Sequence, residues 1–291
     1  MECPSNFDEC EECIFLTLRG SVRDKPEVGI KKCVACEVIV HSRDLREMVD
    51  YSIGTMWDSA KELHEIKEQS KAKDVVRRQS LIQEFVAAEG VETYLDFGCG
   101  KGEVIAGTRS FIKSYGFELE KTAIEQLQKE SIPSFDSMST LIASGIKFDV
   151  VSLFHVIEHL YEPRSTLESL IPALSENAIV IIETPNSNDA LINKYDNENF
   201  QNFTYWSHHP IVYSSKALEN LLELLGFEIL RSTGVQRYGL ANHLYWLAKG
   251  KPGGHEKWGD MFHETVDSDY ASDLIRLGIS DTLLVVGRLS K

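Results

Sequence analysis

No apolar run in this 291-residue chain approaches the roughly 20 residues that span a bilayer; residues 178–182 and 283–286 are typical of how short such runs are. No membrane span is expected. The first dozen residues lack the basic patch and apolar stretch of a secretory signal and carry Glu2, Asp8, Glu9, Glu11 and Glu12 instead, which points to a cytoplasmic protein. Positive charge is scarce as well. The 30 Lys and Arg stand against 45 Asp and Glu, a formal net charge of −15, and that balance opposes loose attraction to nucleic-acid phosphates. The basic clusters Arg77-Arg78 and Lys249 with Lys251 are too short to reverse it, so a small-molecule partner is expected rather than nucleic acid. Repeats and low-complexity tracts are missing too. What remains is an ordinary globular composition, 43% hydrophobic, long enough for one elaborated domain or one domain with a small appendage.

Three stretches follow from pattern. Cysteines crowd the start, and residues 1–44 form the first unit. From Leu45 the apolar positions Val49, Ile53, Met56, Ala60 and Leu63 recur at helical spacing, and Val75, Ile82, Phe85 and Val86 repeat the pattern, so residues 45–90 are expected to be helical. Strand and helix patterns then alternate, which means a doubly wound α/β sheet with helices on both faces over residues 91–291. Strands are expected near residues 94–97, 114–118, 148–154, 178–183, 228–233 and 282–286. Pro163 suits the first turn of a helix whose Leu167, Leu170, Ile171 and Leu174 share a face. A further helix over residues 215–225 has Ser214 or Ser215 to cap its start and Gly226 to end it. Residues 239–281 are too long for a plain connection and are expected to be a substrate-binding insertion.

The segment Leu95-Asp96-Phe97-Gly98-Cys99-Gly100-Lys101-Gly102 leaves a strand and enters a helix with glycines at every second position. Glycine lets the backbone turn tightly and approach a ligand at the carboxyl ends of the strands, where doubly wound sheets bind cofactors. Glu118 ends the next strand, 22 residues after Asp96, where an acidic side chain can accept hydrogen bonds from ribose hydroxyls. A dinucleotide fingerprint places its third glycine five residues after the first, whereas Gly102 follows Gly98 by four. That spacing argues against a nicotinamide cofactor.

On these residues the sequence resembles the class I S-adenosylmethionine-dependent methyltransferases, whose hallmark is an acidic residue followed by three alternating glycines. The resemblance covers about residues 75–291. It implies a Rossmann-like fold, with Gly98, Gly100 and Gly102 under the methionine part of S-adenosylmethionine and Asp96 supporting them. It also implies that Glu118 holds the ribose, and, from element order alone, that Asp136 meets the adenine and Phe154 lines the methyl-donor site.

Phe154-His155-Val156-Ile157-Glu158-His159-Leu160 begins where the strand over residues 148–154 ends, so its polar groups should open on the cofactor cleft. Methyl transfer to a hydroxyl needs an aligned acceptor oxygen and removal of its proton. Histidine titrates near neutrality and can take that proton; His155 is the first candidate base, with His159 and His208 as alternatives. The bland reading of Glu158 and His159 is that they cap or brace a helix. The segment also looks like the Glu-His stretch of ubiquinone-type O-methyltransferases, in which neighbouring carboxylates can hold a divalent ion. His155 stands where that pattern has its first glutamate and Glu162 where it has an aspartate, so a catalytic metal is not expected. His208 and His209 sit between Tyr205, Trp206 and Tyr213 and either roof the site or pack on the core.

Cys10-Glu-Glu-Cys13 and Cys33-Val-Ala-Cys36 are two knuckle spacings 19 residues apart, within the four-cysteine zinc pattern. Four thiolates close a tetrahedral shell, so the expected zinc is structural; isolated thiols or a redox pair are the alternatives, and Cys3 can replace one ligand. Cys99 reads as a small packed residue. The combination of zinc knuckle and methyltransferase core, together with Thr184-Pro185-Asn186 and Arg237-Tyr238-Gly239-Leu240-Ala241-Asn242-His243, resembles bacterial enzymes that methylate sugars and other precursors of surface polysaccharides. It implies a sugar-like or phosphorylated acceptor, met by Tyr238, Asn242, His243, Trp246 and Lys251. The carbon-methylating branch of that group carries a further C-terminal domain not seen here, which favours O-methylation. A nicotinamide oxidoreductase and a methyltransferase-like assembly module without turnover are the competing classes.

Overall fold

The computed structural model describes residues 14–46 and 64–290. Cys10, Cys13 and the helical pattern from Val49 to Leu63 lie outside the described residues. Eleven strands are seen among the described residues: β1 (Phe15–Val22), β2 (Lys25–Cys33), β3 (Ile39–His41), β4 (Thr93–Phe97), β5 (Lys113–Phe117), β6 (Ser134–Phe135), β7 (Phe148–Phe154), β8 (Leu174–Pro185), β9 (Ile211–Val212), β10 (Phe227–Val235) and β11 (Thr282–Leu289). The α-helices are α1 (His64–Glu89), α2 (Glu103–Thr108), α3 (Lys121–Lys129), α4 (Met138–Ala143), α5 (Pro163–Leu170), α6 (Ala190–Asn193), α7 (Glu198–Thr204), α8 (Ser215–Leu224), α9 (Leu240–Lys249), α10 (Gly254–Lys257) and α11 (Glu264–Arg276).

Seven strands form the main sheet in the order β10-β11-β8-β7-β4-β5-β6. Strands β6, β5, β4, β7 and β8 run parallel, and β11 runs antiparallel to both β8 and β10. The chain winds outward in one direction from β4 to β5 and β6 and then crosses back to β7, which leaves a crevice at the carboxyl ends of β4 and β7. Alternation along each strand explains why both faces are covered. Leu95, Phe97, Val151, Leu153, Val180 and Ile182 enter one core; Tyr94, Val150, Ile179, Ile181 and Val286 enter the other.

Helix α1 lies on the second face through Leu81, Ile82 and Phe85, each buried side chain of this kind stabilising the fold by about 1.5–3 kcal/mol. Arg78 and Asp74 sit four and eight residues before Ile82 and continue that buried stripe toward the carboxyl ends of the strands. The other expected strands and helices among the described residues are present with shifted ends, except that Leu174, expected on the face of the helix opened by Pro163, instead begins β8. Pro163 opens α5, the Ser214 hydroxyl accepts from the Ala217 N–H to cap α8, and Gly226 adopts φ 84° after α8.

The N-terminal region departs from a self-contained knuckle. Strands β1, β2 and β3 form a sheet completed by β9 from the main domain, in the order β1-β2-β3-β9. Val22, Val28, Ile30, Ile39 and Leu45 share one core with Ile192, Tyr205 and Val212. Alternating apolar residues in a short strand give a weak signal when three of the eight buried residues of the core come from residues 192–212. Residues 239–281 fold into α9, α10 and α11 rather than a plain loop. No helix among the described residues is long and apolar enough to cross a membrane.

Candidate active site

Strand β4 ends at Phe97, and the chain turns through Gly98, Gly100 and Gly102 with φ of 78°, 54° and 80°, a region that only glycine enters without strain. At Gly98 a β-carbon would lie 2.4 Å from Val156 Cγ2. The loop is held by backbone: Gly98 N–H and Cys99 N–H donate to the Phe117 carbonyl at 2.8 and 3.1 Å, and Gly102 N–H to the Cys99 carbonyl at 2.9 Å. The Glu118 carboxylate closes it, accepting from Gly100 N–H at 2.9 Å, Leu119 N–H at 2.7 Å and Glu120 N–H at 2.9 Å. Glu118 therefore organises the glycine loop, and the remaining lone pair of its carboxylate is the capacity left for a ligand hydroxyl. Below the loop, Asp96 is buried and accepts from the Ser152 hydroxyl at 2.7 Å; that hydroxyl also lies 2.6 Å from the Tyr94 hydroxyl. Burial pushes the Asp96 carboxyl up to about 6, against the hydrogen bond from Ser152. Cys99 is buried, and burial holds it as a thiol well above the usual range. Asp136 is exposed after β6, accepting from the Thr140 hydroxyl at 3.1 Å.

Across the crevice the character changes. His155 follows β7 with φ 57°, an unusual conformation for a side chain-bearing residue. Its N–H donates to the Glu183 carbonyl at 2.7 Å, extending the β7–β8 ladder by one residue. Its Nδ1 lies 3.1 Å from Glu158 Oε1, its Nε2 3.5 Å from Glu183 Oε1 and 3.3 Å from Arg237 Nη1. Glu183 is fully buried and pairs with Arg77 at 2.7 Å and Arg78 at 2.5 Å. Asp74 pairs with Arg77 at 3.1 Å and Arg237 at 2.6 Å. Arg237 N–H donates to Asp281 at 2.9 Å, and the Arg78 guanidinium lies 4.7 Å from the Phe154 ring centroid. Phe154 thus presents one face to Arg78.

The electrostatics follow from these pairs. For His155, burial favours the neutral ring, but the Glu158 and Glu183 carboxylates outweigh it and raise the proton affinity. Glu158 is buried, which disfavours its charge, yet His155 holds it down to about 2. Burial likewise opposes ionisation of Glu183, and His155, Arg78 and Arg77 hold it well below the usual carboxylate range.

His159 and His208 come together: His159 Nδ1 donates to the His208 carbonyl at 2.8 Å, and His208 stacks on Trp206 with ring centroids 4.1 Å apart. Burial lowers the proton affinity of His159, His208 and, most strongly, His209. This segment is tied to the N-terminal sheet, because Ser207 N–H donates to Asp24 at 3.0 Å and His41 Nε2 donates to the Trp206 carbonyl at 3.1 Å. Cys33 and Cys36 are buried at the β2–β3 turn, where Ser214 Oγ donates to the Cys36 carbonyl at 2.6 Å. In the late helices, His243 is buried with Nδ1 2.8 Å from the Tyr270 hydroxyl.

Sequence reasoning found the glycines, Glu118 and the histidines but not Asp74, Glu183 or Asp281, and it treated Arg77-Arg78 only as a short basic cluster. Two signals were available: a carboxylate at the end of the apolar run Ala178–Ile182, and charged residues on the apolar stripe of α1.

A family model described as a methyltransferase domain matches residues 64–232. Among solved structures, the plantazolicin methyltransferase BpumL in complex with S-adenosylhomocysteine is 13% identical, with a TM-score of 0.53 over 80% of this chain and 90% of that one. The plantazolicin methyltransferase BamL, solved with S-adenosylhomocysteine and a triazolic desmethylplantazolicin analogue, is 14% identical, with a TM-score of 0.51 over 78% and 88%. An S-adenosylmethionine-dependent methyltransferase from Archaeoglobus fulgidus is 19% identical, with a TM-score of 0.47 over 72% and 94%. At 13% and 14% identity the likeness to the two plantazolicin methyltransferases is one of fold. No curated protein matches the chain.

Proposed function

Because the chain belongs to the methyltransferase-domain family, we propose that it moves the methyl group of S-adenosylmethionine to a hydroxyl of a small polar acceptor, such as a sugar or phosphorylated precursor of a bacterial surface polysaccharide. The observation that carries the proposal is the meeting of two segments. Gly98 packs so tightly on Val156 that no β-carbon fits between them, so His155 stands beside the glycine loop.

The residues present fit the cofactor: the turn at the carboxyl end of β4 carries no side chain at Gly98, Gly100 or Gly102. These glycines would face the methionine part with Asp96 beneath them, Glu118 the ribose, Asp136 the adenine, and Phe154 the donor side. When bound, the cofactor supplies an electrophilic methyl on a sulfonium. His155 is the general base. Glu158 at Nδ1 orients the ring, and Nε2 takes the acceptor proton as the oxygen–methyl bond forms and the sulfur keeps the electron pair of the bond that breaks. His159 and His208 are the alternates. Tyr238, Asn242, His243, Trp246 and Lys251 belong to the acceptor side, on or beside helices α9 and α10.

The test is transfer of labelled methyl from S-adenosylmethionine to a panel of nucleotide sugars and sugar phosphates. An alkali-stable methyl ether is the expected product; label on carbon or nitrogen, or none on any sugar, removes the acceptor class.

The same proposal includes a structural zinc on Cys10, Cys13, Cys33 and Cys36. It is supported by the spacing and by the Cys33–Cys36 turn, where Glu37 takes φ 59°. Metal analysis of protein purified without added zinc should find about one zinc per chain; fewer than about half, with native helicity and activity, sinks the four-thiolate site.

A further inference from the structure

The nitrogen of His155 that would receive an acceptor proton already has a partner, for Arg237 Nη1 lies 3.3 Å from His155 Nε2. A guanidinium can only donate a hydrogen bond and an ionised carboxylate can only accept one, so the contacts assign the ring. Nδ1 carries the proton and donates to Glu158 Oε1 at 3.1 Å, and Nε2 carries the lone pair and accepts from Arg237. Glu183 Oε1 stands 3.5 Å from the same Nε2. A donor and an acceptor thus flank one nitrogen, the first favouring the neutral ring and the second the charged one.

Arg237 is held at both ends. Its Nε and Nη2 donate to Asp74 Oδ2, on α1, at 2.7 and 2.6 Å, which leaves Nη1 for His155. Its backbone N–H and that of Tyr238 donate to Asp281 Oδ2, just before β11, at 2.9 and 3.1 Å. Gln236 locks this arrangement: its Nε2 donates to Asp281 Oδ2 at 2.9 Å, and its Oε1 accepts from the Asp281 N–H at 3.1 Å. The contact on His155 is therefore built into the loop that follows β10, unlike that of a freely rotating surface arginine.

We propose that Arg237 is a positioning residue for methyl transfer: its Nη1–H fixes the neutral His155 tautomer with the lone pair on Nε2, and the acceptor hydroxyl reaches the ring by replacing Nη1 there. On the reading that His155 is the general base, the acceptor O–H bond then breaks toward Nε2 while the oxygen–methyl bond forms and the methyl–sulfur bond leaves its electron pair on sulfur. The imidazolium so formed is attracted by Glu183 and repelled by Arg237, and that repulsion favours release of the proton to water, which restores the base. The opposing pulls are evident: burial and Arg237 lower the proton affinity of His155, and Glu158 and Glu183 raise it. The other charged and titratable groups around the ring are Arg77, Arg78 and Asp74 on α1, which pair with Glu183 and Arg237, and His159 and His209 beside Glu158.

The test is a pH titration, by nuclear magnetic resonance, of the full-length chain with 15N-labelled histidines, the His155 signals being assigned by their loss in His155→Asn. The neutral wild-type ring should carry its proton on Nδ1. In Arg237→Gln and Arg237→Met the ring should bind its proton at least about threefold more tightly, a midpoint about half a pH unit higher. Arg231→Gln, which loses only the exposed pair with Glu84, should leave the midpoint in place, as would an Arg237 whose role were merely structural. A neutral wild-type ring protonated on Nε2 overturns the proposal, and so does a midpoint that stays or falls in whichever Arg237 variant folds; should neither fold, the wild-type tautomer decides. In methyl transfer to the sugar panel, the rising limb of the Arg237→Gln rate should move to higher pH by the same amount. Near-wild-type turnover of His155→Asn would remove the general base while leaving the titration result standing, so the two readings fail separately.

Discussion

The two sides of the crevice solve the same problem with different materials. On the β4–β5 side, backbone N–H groups converge on the carboxylate of Glu118, and glycine supplies the conformations. On the β7–β8 side, Arg77, Arg78 and Arg237 interlock with Asp74, Glu158, Glu183 and His155 through their charged side chains. A backbone-built site keeps its shape when its surface side chains vary, whereas a buried charge network depends on every member, since removing one leaves another uncompensated. The first arrangement suits a ligand common to a whole chemistry and the second suits placing one proton.

That contrast is sharpest at His155. His155→Asn should lower turnover by about 100- to 10,000-fold and leave cofactor affinity nearly unchanged. Because Glu158 and Glu183 raise its proton affinity above that of an ordinary histidine, and a base acts when deprotonated, the wild-type rate should climb with pH above about 6.5. The variant should lose that rise. Turnover above about a tenth of wild type with the same pH profile would pass the role to His159.

Stability should separate the network from ordinary surface pairs. Glu183→Gln leaves Arg77 with Asp74 alone and takes from Arg78 its buried carboxylate, and should cost about 3–5 kcal/mol in denaturant unfolding, while Glu84→Gln, which breaks the exposed pair with Arg231, should cost at most about 1 kcal/mol. Equal effects would mean that the network is no more than a decorated surface. The acid side follows the same logic. Glu158 has a proton affinity depressed to about 2 from 4.5, so its contribution is complete above the unfolded value and is lost as pH falls from about 4.5 toward 2.

How much of this was legible beforehand divides along the same line. The glycine loop and Glu118 lie within one strand–turn–helix–strand unit, so spacing alone exposed them. His155, Glu158 and His159 were visible because they follow a strand end directly. The network was not, because Asp74, Glu183 and Arg237 are brought together only by α1 lying across the sheet and by β10 returning beside β11. Strands β1 to β3 escaped for a related reason: their pairing partner β9 and three of the eight buried residues of their core are supplied from residues 192–212.

The central claim is that the backbone-built side binds S-adenosylmethionine through Glu118. Calorimetric titration of S-adenosylhomocysteine into wild type and folded Glu118→Ala tests it directly. The account predicts binding to the wild-type chain, a loss of about 2–3 kcal/mol in the variant, and no binding of NADH to either; equal affinity in the two proteins, or binding of NADH in place of S-adenosylhomocysteine, would contradict it.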